Sequence, residues 1–174
     1  LRRGGCGEVA ERQMIERPSA RLILLDGQDR LFMFKVHQPS VYDPADPFRD
    51  PFWIMVGGLV DPGEDFQHTA IREAREETGL NVEDVRWVWS RERVMQWRDK
   101  QVLHRERFFL GRSASTTIDT SGLDEREKSW TLDHRWWRLG EIAASSERFE
   151  PRRLAVHLAG LLRDGPPARP TEID

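Results

Sequence analysis

Three carboxylates at helical spacing are the residues of this chain best suited to do chemistry. Glu73, Glu76 and Glu77 stand at positions i, i+3 and i+4, so in a helix their side chains share one face. Like charges at this spacing repel, by roughly a few tenths of a kcal/mol for each pair. A divalent cation between them would remove the repulsion, and oxygen-only ligands favour a hard ion, Mg²⁺ or Mn²⁺. The pattern therefore predicts a metal site that suits a phosphate-rich substrate.

Such a site would suit hydrolysis of a pyrophosphate bond by water. A pyrophosphate is already anionic, so attack by hydroxide needs cations that neutralise the developing charge and lower the pKa of bound water. A carboxylate whose pKa is raised by its neighbours can also take the proton from that water. This chemistry requires no covalent intermediate.

The flanking residues predict the elements that hold these carboxylates in place. Residues 53–56 are a short apolar run followed by two glycines, which is typical of a buried strand whose end approaches another group closely. A Pro-Gly pair at 62–63 predicts a turn. Asp65 and Gly79 are typical caps of a helix start and a helix end. We therefore expect a loop followed by a helix over residues 65–78.

The same stretch resembles the signature of the Nudix hydrolase family, Gly-x5-Glu-x7-Arg-Glu-U-x-Glu-Glu-x-Gly-U, where U is an aliphatic residue. Every fixed position from Gly58 to Leu80 is met, with Ala74 at the first aliphatic position. Specified residue types at fixed spacing make this a strong resemblance, whereas a lone pair of glutamates would carry little weight. The resemblance implies an α/β fold, the Nudix α/β/α sandwich with a mixed central sheet. We call residues 57–64 the box loop and the helix after them the box helix.

The resemblance also implies a role for each matching residue. Members of the family generally hydrolyse a nucleoside diphosphate linked to another group, with water as the nucleophile and Mg²⁺ held by the box glutamates. By position, Glu76 and Glu77 would be metal ligands, and Glu73 would be a ligand or would help to deprotonate the water. Arg72 would orient a glutamate through an ion pair, and Glu64 would support the box loop. The expected catalytic residues are thus Arg72, Glu73, Glu76 and Glu77, Gly58 is expected at the metal, and the structural positions of the box are Gly58, Glu64 and Gly79.

A further acidic metal ligand is expected outside the box, because many members of the family supply one from a later loop or strand. Glu125 and Glu127 lie in the polar segment 121–128, and Glu106 is another candidate. We favour Glu127, although a glutamate in an exposed loop is by default only a solvated one.

Substrate contacts are expected from aromatic and basic residues. Trp53 and Trp97 could each stack on a base, although core packing is the commoner role of a tryptophan. Arg91 and Arg93 could bind phosphates, or they could belong to an ordinary basic surface. The markers of the ADP-ribose, dinucleoside polyphosphate, NADH and coenzyme A branches are missing. A nucleoside triphosphate, a nucleotide-sugar or a similar small molecule therefore stays open as the substrate.

Outside the box the chain predicts mainly strands. Residues 20–26 and 30–37 are apolar or alternating runs separated by a hairpin signal. Residues 85–94 and 106–111 predict two further strands, and 135–139 another. After Pro151, apolar residues at helical spacing predict an amphipathic closing helix.

Length and composition predict one domain. We expect it over residues 19–164, between a mobile N-terminal extension at 1–18 and a flexible C-terminal tail at 165–174. The net charge of −3 gives no reason to expect binding to a nucleic-acid polymer or a membrane. The single cysteine, Cys6, excludes an internal disulfide framework, and no apolar run is long enough for a signal peptide. These features favour the cytoplasm, and a homodimer stays open.

Two classes of function follow from this sequence. The first is a metal-dependent pyrophosphohydrolase. The second is a nucleotide-binding or regulatory module that keeps the box helix for structure and has no turnover. The complete set of box carboxylates argues for the enzyme, because a non-catalytic module has no need for three glutamates that repel one another.

Overall fold

The computed structural model describes residues 14–174, and its main element is a mixed sheet of nine strands. The strands are β1 (Ile15–Leu25), β2 (Leu31–Val36), β3 (Val41–Tyr42), β4 (Phe52–Ile54), β5 (Val85–Trp97), β6 (Lys100–Arg112), β7 (Thr131–Trp137), β8 (Phe149–Glu150) and β9 (Thr171–Glu172). The helices are α1 (Phe66–Thr78), α2 (Glu125–Trp130), α3 (Leu139–Ala144) and α4 (Leu154–Asp164). Each predicted strand and helix has a counterpart in this list.

Strand β1 organises the sheet. It pairs in parallel with β6 along its whole length, from Ile15 opposite Val102 to Leu25 opposite Arg112, and it is antiparallel to β2. The sheet order is β3-β5-β6-β1-β2-β4-β8, while β7 pairs with β2 and β9 pairs with β5. Parallel and antiparallel pairs in one sheet confirm the predicted mixed architecture.

The alternation of β1 builds an apolar core on each face of the sheet, because successive side chains of a strand point to opposite faces. Leu22 and Leu24 belong to the core that includes Ala74 of the box helix α1. Ile23 and Leu25 belong to the core that includes the buried leucines of α4. The two helices therefore cover opposite faces, which confirms the predicted α/β/α sandwich.

The box helix forms as its local signals predict. Asp65 accepts a hydrogen bond from the backbone N–H of His68 at the start, and Gly79 ends the helix with a φ of 71°. The N–H of Gly79 donates to the carbonyl of Arg75, which closes the last turn. The apolar side chains Ala70 and Ala74 pack on the sheet, and Glu73 and Glu77 lie beside them, buried as well.

The structure corrects the predicted domain boundaries at both ends. Strand β1 begins at Ile15, inside the extension expected at 1–18, because its first residues still find backbone partners on the long strand β6. The tail expected to be flexible contains β9, and the N–H of Ile173 donates to the carbonyl of Ser90 at 2.9 Å. The rest of the predicted extension, with Cys6, lies outside the described residues.

The β5–β6 hairpin is also longer than the two strands predicted from the sequence. Its pairing continues to Trp97 opposite Lys100, with Arg98 at a φ of 56° in the turn. The added part mixes polar residues such as Gln96 and Lys100 with apolar ones such as Met95 and Val102, so it lacks the regular apolar alternation that marks a strand in sequence. Among residues 14–174, none of the helices has the length and apolar character needed to cross a membrane.

Candidate active site

Three glutamates from two helices meet at the acidic face of the box helix. Glu73 and Glu77 of α1 and Glu127 of α2 each bring a carboxylate oxygen within 4.8 Å of the others. Glu73 and Glu77 are only 7% and 9% exposed, and Glu127 is half-buried. Of the acidic residues proposed outside the box, the structure brings Glu127 into this group and leaves Glu125 exposed.

Local signals and one close contact place Glu127 there. The side chain of Asp124 accepts from the N–H of Glu127, and a Glu127 oxygen accepts from the N–H of Asp124 at 2.8 Å, which is a capping box. Ahead of α2, a side chain at Gly122 would overlap the carbonyl oxygen of Glu76. Gly122 therefore lets the segment before α2 lie directly on the box helix. This role of Gly122 was not predicted from the sequence.

Burial raises the pKa of the two buried carboxylates of this group, Glu73 and Glu77. Burial, together with the negative charge of Glu73, raises the pKa of Glu77 to about 8. Burial also raises the pKa of Glu73. A hydrogen bond from the N–H of Gly57 at 2.9 Å and the charge of Arg21 act in the opposite direction on Glu77. Two buried carboxylates side by side need a proton or a cation between them.

The donor set fits a hard divalent cation. Three carboxylates converge, all their ligand atoms are oxygen, and the described residues at this point include no sulfur or imidazole ligand. Mg²⁺ and Mn²⁺ prefer such oxygen donors. The two buried carboxylates, with their raised pKa values, would gain most from the positive charge.

Arg72 lies on the rim of this site and donates hydrogen bonds to three glutamates. Its guanidinium donates to Glu64 through two hydrogen bonds of 3.0 Å, to Glu73 at 2.8 Å and to Glu76 at 3.0 Å. The bond from Arg72 lowers the pKa of Glu64 to about 2. Arg72 thus has the orienting contacts that the resemblance implies. Glu76 is 53% exposed and lies outside the group of three, so its role as a metal ligand stays a prediction.

Gly57 and Gly58, two adjacent glycines of the box loop, are required for different reasons. Gly57 has a φ of 138°, and a side chain there would overlap the carbonyl oxygen of Ala20. A side chain at Gly58 would overlap the carboxylate of Glu73. The carbonyl of Gly58 accepts from the N–H of Ala20 at 3.0 Å, so the metal contact predicted for Gly58 stays a prediction.

Two residues predicted to contact substrate are buried instead. Trp53 is 3% exposed and packs edge-on against Trp137 with ring centroids 4.9 Å apart, so the expectation that it stacks on a base is wrong. Arg91 is also 3% exposed and donates to Glu106 at 2.8 Å and Glu150 at 3.1 Å. Its charge is neutralised inside the protein, so the prediction of a free phosphate ligand is wrong.

The other predicted substrate residues lie nearer the surface. Arg93 also donates to Glu150, at 3.1 Å, and its side chain is 19% exposed. Trp97 is half-buried beneath the guanidinium of Arg17, whose central carbon lies 4.3 Å from the ring centroid. Substrate contacts by Arg93 and Trp97 stay predictions. Glu106, the other acidic candidate, lies among arginines and outside the carboxylate group.

Arg21 is a contact of the box loop that was not predicted from the sequence. Its guanidinium donates to the carbonyl of Gly57 at 2.8 Å. The available signal was one arginine inside the apolar run 20–25, where a charge must have a buried partner.

Comparison with known proteins gives three relatives of different description. The chain is 25% identical over 122 residues to the methanol dehydrogenase activator of Bacillus methanolicus, covering 70% of this chain and 60% of that protein. It is 38% identical over 81 residues to the CMP-5'-(N-acetyl-N-hydroxy-3-aminopropyl)phosphonate hydrolase of Streptomyces rubellomurinus, covering 46% and 36%. It is 28% identical over 147 residues to the RNA pyrophosphohydrolase of Wolbachia pipientis wMel, covering 77% and 82%. The chain thus spans less than two thirds of the first two relatives.

Solved structures share the fold at low sequence identity. The MutT protein from Methanosarcina mazei Go1 has a TM-score of 0.59 at 14% identity, with 87% of this chain and 96% of that chain covered. The MutT NUDIX hydrolase from Burkholderia pseudomallei has a TM-score of 0.59 at 16% identity, with 82% and 97% covered. Similarity at this identity shows a common fold.

The family model of the NUDIX domain matches residues 15–158. This match contains the box loop, the box helix, α2 and the strands β1 to β8. It covers most of the chain and agrees with the fold and with the arrangement of the carboxylates. The chain therefore belongs to the NUDIX domain family.

Proposed function

We propose that this protein is a metal-dependent hydrolase that cleaves a pyrophosphate bond in a nucleoside diphosphate linked to another group. The observation that carries the proposal is the meeting of Glu73, Glu77 and Glu127 with two of the three carboxylates buried. A buried cluster of like charges is unfavourable unless a cation or a proton compensates it. An enzyme that binds Mg²⁺ or Mn²⁺ at this point has a use for the arrangement, because the cation also neutralises phosphate charge.

The residues of the site have separate tasks in this proposal. Glu77 and Glu127 would hold the metal, with Glu73 as a further ligand or as the acceptor of the proton from water, and Glu76 would contribute from the rim. The bound metal would supply charge neutralisation and would lower the pKa of a water molecule. Arg72 keeps Glu73 in place through its bond of 2.8 Å. The N–H of Gly57 does the same for Glu77.

The substrate class is proposed from the chemistry of the site and from the relatives. Two relatives carry names that describe hydrolysis of a phosphorus compound, an RNA pyrophosphohydrolase and a CMP-linked phosphonate hydrolase. Their substrates differ, so they support the class of bond and leave the substrate open. We infer a small nucleoside triphosphate, nucleotide-sugar or similar compound.

The test measures release of phosphate or nucleotide from a panel of nucleoside triphosphates, nucleotide-sugars, ADP-ribose and dinucleoside polyphosphates. Release should require Mg²⁺ or Mn²⁺ and should stop with chelator. Glu77→Gln and Glu127→Gln should each lose nearly all of it. Glu125→Gln is the matched control for Glu127→Gln. Glu125 also lies on α2, but its side chain is 92% exposed and paired to Lys128. Full turnover in Glu77→Gln would contradict the proposal.

A regulatory module is the second candidate, and one observation favours it. A relative is named a methanol dehydrogenase activator, a description of an effect on another protein. A module of this kind would bind a nucleotide without turnover. Binding of a panel compound in a thermal-shift assay, with no hydrolysis of any compound under either metal, would favour this candidate over the enzyme.

A further inference from the structure

We propose that Arg21 is a positioning residue of the active site, which fixes the box loop behind Glu77, and that Glu106 holds Arg21 in place. The inference rests on the proposed function, because it concerns how the metal-binding carboxylates are held. Arg21 lies on the central strand β1, in a run where the neighbouring residues form the two apolar cores.

A continuous chain of hydrogen bonds links Glu106 to Glu77. Nε of Arg21 donates to Oε1 of Glu106 at 3.2 Å. Nη1 of Arg21 donates to the carbonyl of Gly57 at 2.8 Å. The N–H of Gly57 then donates to Oε2 of Glu77 at 2.9 Å. Arg21 therefore holds the carbonyl of the residue whose N–H holds the buried carboxylate.

Gly57 needs such a restraint because its backbone is unusual. Its φ of 138° is open to glycine without strain, and because glycine can adopt many other conformations as well, neighbouring groups must select this one. On one side, the close approach to the carbonyl of Ala20 limits the loop. On the other side, Arg21 donates to the carbonyl of Gly57 and, at a longer 3.4 Å, to that of Met55. A guanidinium with fixed donor directions can hold two carbonyls at once.

Buried charges hold Glu106, which is the other end of this chain of hydrogen bonds. Glu106 is 3% exposed, and Arg91, equally buried, donates to its other oxygen. Arg91 is in turn bound to Glu150 at 3.1 Å. The positive charges of the neighbouring arginines hold the pKa of Glu106 well below its usual range, so it stays ionised. An ionised, immobile carboxylate gives Arg21 one preferred orientation.

Loss of Arg21 should affect metal binding more than substrate binding. Residues that orient the ligands of a metal usually change its affinity or the activity roughly 10–100-fold when they are replaced. If Arg21 is removed, the Gly57 peptide loses its donor and Glu77 loses a fixed partner. We therefore expect weaker metal binding and slower turnover, with the substrate concentration needed for half-maximal rate unchanged.

The experiment compares Arg21→Met, Arg21→Lys and Arg105→Met in the full chain. Arg105 is the matched control, because it is adjacent to Glu106 on β6 but its half-exposed side chain pairs with Glu16 and Glu92 at the surface. Mn²⁺ affinity is measured by electron paramagnetic resonance without substrate, and kcat and KM are measured on the substrate found in the panel. Unfolding temperature is recorded for each variant.

We expect Mn²⁺ affinity and kcat to fall while KM stays the same. Arg21→Met should bind Mn²⁺ roughly 10–100-fold more weakly and lose kcat, with KM unchanged. Arg21→Lys should recover part of both losses, because an ammonium group can still donate to the carbonyl of Gly57. Arg105→Met should match the wild type. If Arg21→Met does not fold, Arg21→Lys and Glu106→Gln provide the same comparison and should both weaken Mn²⁺ binding.

Two results would overturn the inference. A raised KM with unchanged Mn²⁺ affinity would make Arg21 a substrate contact, and a lowered unfolding temperature with unchanged affinity and kcat would make it a residue of the fold alone. Failure of the proposed function is distinguishable, because in that case the wild type itself would bind no Mn²⁺ or show no turnover.

Discussion

Arg72 and Glu64 join the box helix to the box loop through two parallel hydrogen bonds of 3.0 Å each. Paired bonds of this kind fix the planes of both groups, which a single bond cannot do. Thr69 adds a third bond to the same carboxylate at 2.7 Å. Because Arg72 also donates to Glu73, the loop and the carboxylate-bearing face of the helix share one guanidinium.

We predict that Arg72→Lys lowers the free energy of unfolding by about 1–2 kcal/mol and reduces turnover strongly. A lysine ammonium is one point charge and cannot bond Glu64 through two parallel bonds while it also holds Glu73. Urea unfolding and steady-state kinetics check the two effects. Arg75→Lys is the control, since Arg75 lies on the exposed side of the same helix. Equal behaviour of the two variants would contradict the prediction.

The two glycines with positive φ in the box loop should respond differently to alanine. Gly57 and Gly63 both have φ values that L-residues rarely adopt, 138° and 85°. A side chain at Gly57 would overlap Ala20, whereas a side chain at Gly63 meets nothing within 4 Å. We predict that Gly63→Ala costs about 1 kcal/mol of stability, from backbone strain alone, and that Gly57→Ala costs clearly more and abolishes activity. Thermal unfolding of both variants checks the difference.

His104 should make the protein less stable at mildly acidic pH. Burial lowers the pKa of His104 to about 4, and the charges of Arg21, Arg93 and Arg91 act in the same direction while that of Glu106 opposes them. The unfolded chain takes up the proton near pH 6.5, and the folded protein only near pH 4. Stability from this residue is therefore constant above pH 6.5 and falls by about 3 kcal/mol between pH 6.5 and pH 4.

Replacement of His104 isolates this contribution. His104→Gln can retain a hydrogen bond to the hydroxyl of Ser19, which lies 2.8 Å from the imidazole, but it cannot take up a proton. Denaturant unfolding between pH 7 and pH 4 should show a weaker pH dependence in this variant. His37→Gln, at an exposed position, should follow the wild type. An identical pH dependence in all three proteins would rule out the contribution of His104.

The last residues of the chain should contribute to stability. Ile173 packs against the core beside α4, and a carboxylate oxygen of Asp174 is hydrogen-bonded to Nε2 of His157 at 2.7 Å. Deletion of residues 171–174 should lower the free energy of unfolding by about 1–2 kcal/mol, because it exposes apolar surface and removes the backbone bonds of β9. Asp174→Asn should have a much smaller effect, since the Asp174 side chain is half-exposed and asparagine can still bond to His157. Equal stability of the deletion and the wild type would show that β9 adds nothing.

The sequence by itself determined the box helix, its caps and the identities of its carboxylates. These features depend on residues three to five positions apart, and helix geometry converts that spacing into a common face without any long-range contact. Asp65, Gly79 and the positions of Glu73 and Glu77 were therefore predictable. The two-residue alternation of β1 likewise indicated a strand, and the spacing of the leucines after Pro151 indicated α4.

Only the tertiary structure decided what surrounds these residues. Glu127 reaches Glu77 although 50 positions separate them, and Arg21 and Glu106 are bonded across 85 positions. Such contacts depend on which strands pair and in which register, and a single sequence does not state either. Burial likewise set the roles of Trp53 and Arg91, because an aromatic ring or a guanidinium looks the same in sequence whether it binds a ligand or fills the core. Local spacing placed the carboxylates on one face, and the pairing of distant strands brought their partners to them.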